Sequence, residues 1–136
     1  MTQNPFTNGT GASGARSAYL DASIATASPA RLLVMLFERL VLDVTRAVDS
    51  QRAGDVQEAH RQLVHAQDIV LELRASLQVE SWEGGVGLAS IYDFLHTQLV
   101  RANIRKDLAL TEACLGLVTD LAQTWREAAL QTANVA

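Results

Sequence analysis

A chain of 136 residues, 49% apolar and only 5% aromatic, reads as one domain of packed helices, because that density of Leu, Ala and Val does not suit a β-sandwich. A formal charge of −4, from 11 Lys and Arg against 15 Asp and Glu, excludes a general nucleic-acid binder, which needs clustered cations to neutralise phosphates. The single cysteine, Cys114, excludes an internal disulfide, and no apolar run approaches a membrane span, so the expectation is a cytoplasmic protein that does not insert into membranes.

Residues 1–17, "MTQNPFTNGTGASGARS", are polar and Gly-rich; they carry no secretory signal and are expected to form a flexible arm, with the helical domain spanning residues 18–136. Ala18 to Ala25, with Tyr19, Leu20 and Ile24, reads as a short amphipathic helix too brief to be stable alone. Ser28-Pro29 starts the first long helix, since the serine hydroxyl can accept from an orphan N–H and proline has no N–H to leave unpaired. That helix should run to about Ala53 and stop at Gly54. Asp55-x-x-Glu58 resembles a capping box, and the second helix carries Val56, Leu63, Ile69, Val70, Leu73 and Leu77 inward, ending near Gln78.

The loop "VESWEGGVG" places Trp82 either as a lid on the bundle end or as an exposed anchor. A third helix is expected from about Leu88 to Arg105, with Leu88, Ile91, Tyr92, Leu95 and Leu99 on its buried face. Asp107 caps the last helix, which buries Leu110, Cys114, Leu117, Val118, Leu121 and Trp125. Four long helices with short loops predict an all-α, antiparallel up-down four-helix bundle with a short additional N-terminal helix or arm.

The helices hold more apolar surface than one buried face can use. At about 100° per residue, Leu33, Leu36, Phe37, Leu40, Val41, Val44 and Val48 form the core arc of the first helix. Met35 and Leu42, seven residues apart, form a second stripe among Arg31, Glu38, Arg39, Arg46 and Asp49. The second helix likewise separates Val64, Leu71 and Ala75 from its core arc, and the third isolates Val100 and Ile104. Scattered apolar residues on a surface need no explanation, but repetition on three helices favours grooves for partner helices. A covering by the chain's own N-terminal piece, with Tyr19 and Ile24 over Met35 and Leu42, is the other reading; the two are compatible if a partner displaces the arm.

Catalytic and metal chemistry find no support. Asp93-x-x-His96 stands alone where a di-iron bundle needs paired Glu-x-x-His motifs, and His60 and His65 point about 140° apart on one helix, as surface histidines. No HExxH, GxSxG, GxxxxGK[ST] or suitably placed GxGxxG occurs, and Cys114 lies on a buried arc where a thiol behaves as a small hydrophobe. The expectation is a protein that is no enzyme and carries no cofactor or metal.

The segment "AYLDASIATASPARLLVMLFERL" resembles the signature of the FliS family of flagellar secretion chaperones: Tyr19, then Thr26-Ala27-Ser28-Pro29, Leu32, Met35, Leu36 and Phe37. "AQDIVLEL", "GGVGLASIYDFLHTQLVRANI" and "VTDLAQTWREA" resemble the family's later motifs, so the likeness covers nearly the whole chain after residue 17. The glycine loop is shorter than the family's, and "HTQ" stands where basic residues are common.

The resemblance implies a cytoplasmic bundle that binds the C-terminal helical segment of flagellin, blocks its premature polymerisation and delivers it to the flagellar type III export gate. It further implies that Tyr19 contacts the gate component and that Ile24, Met35, Tyr92, Leu99 and Asn103 lie near the flagellin grooves. With the stripes, the expected groove is Ile24, Met35, Leu42, Val64, Leu71, Tyr92, Leu99, Val100, Asn103 and Ile104, and the flagellin-bound chain is expected to be a monomer. The competing expectation is a self-associating structural bundle with no export role.

Overall fold

The computed structural model describes residues 28–81 and 83–135. Among the described residues are four helices, α1 (Pro29–Arg52), α2 (Val56–Ser76), α3 (Gly85–Arg105) and α4 (Leu108–Val135), with a 3-10 turn at Val79–Ser81 between α2 and α3. The all-α bundle expected from the sequence is what forms. Residues 33–136 make one compact unit; of the other, residues 1–32, the described part is the start of α1. The expected arm over residues 1–17, the short helix with Tyr19 and Ile24, and Trp82 lie outside the described residues.

Local chemistry sets the helix ends. Ser28 Oγ accepts from the Arg31 N–H at 3.2 Å, the N-cap expected before Pro29. At the other end of α1, Gly54 takes a left-handed φ of 75°, while the Asp55 N–H reaches Ser50 O at 2.8 Å and the Gly54 N–H reaches Gln51 O at 3.2 Å. These two bonds make a Schellman stop, which satisfies carbonyls that the helix leaves open. Asp55 Oδ1 then accepts from Glu58 N–H at 3.1 Å to start α2, though the Glu58 side chain turns to Arg61 and Gln62, so only half of a capping box forms. Asp107 Oδ1 accepts from Leu110 N–H at 3.1 Å at the head of α4.

Cross-helix pairs define the antiparallel order. Arg52 near the end of α1 meets Glu112 near the start of α4, and Glu38 meets Arg126 at 3.9 Å. Between α2 and α3, Arg74 Nε donates to Asp93 Oδ1 at 3.1 Å, and Asn103 Nδ2 donates to His60 Nδ1 at 2.9 Å. Inside, Phe37 is fully buried and its ring lies 6.4 Å from Tyr92 and 6.2 Å from Trp125, tying α1, α3 and α4 to one aromatic centre. Leu40, Val44, Leu63, Val70, Leu73, Leu95, Leu99 and Val118 complete the sealed core.

Several expectations need correction. Val56, placed inward by the sequence, is 54% exposed as the first residue of α2. Ile91 is 38% exposed on the shoulder of α3. Helix α3 begins at Gly85 and not Leu88, and α2 ends at Ser76, two residues before Gln78. Gly85 is required where it stands: a Cβ there would lie 2.8 Å from Val79 Cα and 2.9 Å from Val79 C, so the 3-10 turn presses against the helix start. Leu117, Leu121 and Trp125 of α4 are half-buried against the core, and Leu110 is half-buried too.

Candidate partner-binding surface

The antiparallel pairing of α2 and α3 creates a seam whose two rims are apolar. From α2 come Val64, 36% exposed, and Leu71, 50% exposed; from α3 come Ile104, 72% exposed, and half-buried Val100. The wheel explains the placement: on each helix these positions lie about a quarter turn outside the buried arc, on the side facing the neighbouring helix. The Asn103–His60 hydrogen bond crosses the seam at one end and the Arg74–Asp93 pair crosses it at the other. A cavity of about 190 Å³, lined by Leu71, Arg74, Asp93, His96 and Thr97 over Val70 and Tyr92, indents the surface beside the second crossing.

The side-chain amide of Asn103 meets the His60 ring at Nδ1 across this seam. A second apolar surface lies on the outer face of α1, where Leu42 is 39% exposed and Met35 is half-buried, among Glu38, Arg39, Arg46 and Asp49. Such a pair of surfaces, apolar along the middle and charged at the edges, can bury amphipathic helices.

The residues expected in the groove divide into two groups. Leu42, Val64, Leu71 and Ile104 present apolar surface to solvent, and Met35 and Val100 do so partly. Tyr92 (2% exposed), Leu99 (0%) and Asn103 (8%) are sealed inside the bundle, so any part they take in binding is through the helices they hold. Burial pushes the Tyr92 hydroxyl up to about 12 and the Cys114 thiol up to about 11, so both stay protonated at neutral pH. Ile24 and Tyr19 lie outside the described residues.

Sequence reasoning missed Asp43. It has no solvent exposure, and its carboxylate accepts from Arg39 Nε at 2.9 Å and from Nδ1 of His65 across the α1–α2 contact. The available signal was Arg39 four residues earlier on the same helix, the spacing of an ion pair that can accompany a carboxylate inward. Among the described residues no group of three or more His, Cys, Asp and Glu is placed to hold a metal, and no helix is long and apolar enough to cross a membrane.

Residues 12–132 match the family model described as flagellar protein FliS. The chain is similar to the flagellar secretion chaperone FliS of Bacillus subtilis (strain 168), 29% identical over 93% of this chain and 86% of that protein. It is also 30% identical to the protein of the same name from Salmonella typhimurium (strain LT2), over 79% of this chain and 82% of that one. The Escherichia coli (strain K12) protein of that name is 28% identical, over 82% and 83% of the two chains. The chain belongs to the FliS family of flagellar secretion chaperones, a chaperone family and not a family of enzymes.

Proposed function

We propose that the chain is a cytoplasmic export chaperone whose cargo is the C-terminal helical segment of flagellin. The observation that carries this reading is the α2–α3 seam, where Val64, Leu71 and Ile104 remain exposed in the folded chain. Exposed aliphatic side chains at helical spacing favour an amphipathic helix whose apolar face replaces water along the seam. A flagellin tail is such a segment, and the same face would otherwise pair with other tails to build filament. Covering it blocks premature polymerisation by occupation of that surface, with no chemistry required.

Met35 and Leu42 on α1 form the second contact, which suits a cargo long enough to pass over more than one face of the bundle. Tyr19 is the proposed contact with the export gate component, on family resemblance, and the flagellin-bound chaperone is a monomer. Co-purification of the chain with its own flagellin, followed by stepwise truncation of the flagellin tail, tests the reading. Loss of the complex on removing the C-terminal helices supports it; a complex that survives their removal contradicts it.

A further inference from the structure

Helix α3 carries a third exposed face, distinct from the α2–α3 seam. Gly87, Ile91, Phe94, Gln98, Arg101 and Arg105 recur at alternating spacings of four and three, the spacing of a coiled-coil seam. All but half-buried Gln98 are exposed, and Phe94 stands 57% open to solvent. An aromatic ring of that size left in water on a seam of this register is surface that a helix from outside can cover.

The charges on this face select the occupant. Arg101 and Arg105 lie toward its C-terminal end, whereas Glu83 stands exposed just ahead of its N-terminal end, and none of the three has a hydrogen bond or ion pair among the described residues. Glu83 precedes Phe94 by the same eleven residues by which Arg105 follows it. A two-fold axis through Phe94 would therefore stack ring on ring and carry each Arg105 roughly 16 Å along the helix to the partner's Glu83. The same operation sets Arg101 against Gly87, where nothing lies within 4 Å of a Cβ position, leaving space for the arginine stem. We infer that the outer face of α3 is a self-association surface, through which two copies of the free chain pair antiparallel about Phe94. The inference does not rest on the identity of the cargo.

A single pair of helices of this length buries about 1,000 Å², the lower limit for a specific interface, so the dimer is weak and depends on concentration. Sedimentation equilibrium or light scattering of the full chain over a concentration series provides the test. The wild-type mass should rise from monomer toward dimer, and Phe94→Glu should hold it at monomer with unchanged helicity and melting temperature.

Charge reversal gives a second, independent reading. Arg105→Glu makes both ends of the face acidic and Glu83→Arg makes both basic, so each variant alone should weaken the dimer at least tenfold, while an equimolar mixture should recover it. Three results overturn the inference: a wild-type monomer at every concentration, a dimer that survives Phe94→Glu, and charge variants that fail to recover when mixed. A dimer abolished by Leu71→Asp but kept by Phe94→Glu would place the contact on the α2–α3 seam and overturn it equally.

Discussion

The carboxylate of Asp43, with no exposure to solvent, accepts a hydrogen bond from Nδ1 of His65 and so ties α1 to α2 through a buried acid and a half-exposed ring. Arg39 takes the other carboxylate oxygen at 2.9 Å. Removing His65 leaves a buried oxygen with one partner fewer, which costs more than the bond itself contributed. His65→Ala should lower stability by about 1–3 kcal/mol in urea denaturation. Combined with Asp43→Asn, the loss should be smaller than the sum of the two single losses, which a double-mutant cycle would read as coupling. Strict additivity would mean that the pair does not act as a unit.

Gln51 presents the opposite case. Its side-chain Nε2 and Oε1 are buried with no hydrogen-bond partner among the described residues. An amide held out of water without partners is a cost to the folded state, and an apolar side chain of similar shape removes it. Gln51→Met should raise stability by about 1 kcal/mol, measured as a higher urea midpoint with an unchanged slope.

At Gly85, backbone contact leaves no room for a methyl group, because the Cα and C of Val79 would lie within 2.9 Å of it. Alanine normally favours a helix over glycine by about 1 kcal/mol, and the clash should reverse that sign here. Gly85→Ala is expected to destabilise the chain, whereas Gly87→Ala, with open space around its Cβ position, should stabilise it. Comparing the two melting temperatures checks the contrast within one helix turn.

These contrasts show which parts of the fold were legible in the sequence. Ser28, Gly54, Asp55 and Asp107 announce helix ends because capping is local chemistry, complete within a few residues, and each takes the role its type suggests. Val56 and Ile91 were placed inward because a helical wheel records angle but not the neighbour's reach. Val56 is the first residue of α2, and Ile91 shares the exposed face of α3 with Phe94. The exposed stripes Leu42, Val64, Leu71 and Ile104 were legible, since an apolar residue opposite a complete core arc has no internal use. Burial of Asn103 was not, because its partner His60 lies 43 residues away and only the folded pairing of α2 and α3 brings them together.

Titration at high pH should show the cost of burying two weak acids. Burial moves Cys114 from 9.0 to about 11 and Tyr92 from 10.0 to about 12. The unfolded chain releases these protons first, so above about pH 9 the folded state binds more protons than the unfolded one. Their contribution is complete below about pH 9 and is lost as pH rises toward about 11 and 12. The urea midpoint should fall across that window, and Cys114→Ala should fall less. A midpoint independent of pH would show that neither group gains a proton on folding.

The account turns on the α2–α3 seam as the place where cargo buries its apolar face. Isothermal titration calorimetry of the wild-type chain and of a Leu71→Asp, Ile104→Asp variant, against the flagellin C-terminal segment at several temperatures, tests this most directly. The account predicts binding by the wild type with a clearly negative heat-capacity change. The variant should bind at least about 30-fold more weakly, the effect of losing about 2 kcal/mol at the contact, with helicity and melting temperature little altered. Equal affinity of the two proteins, or binding without a heat-capacity change, would contradict it.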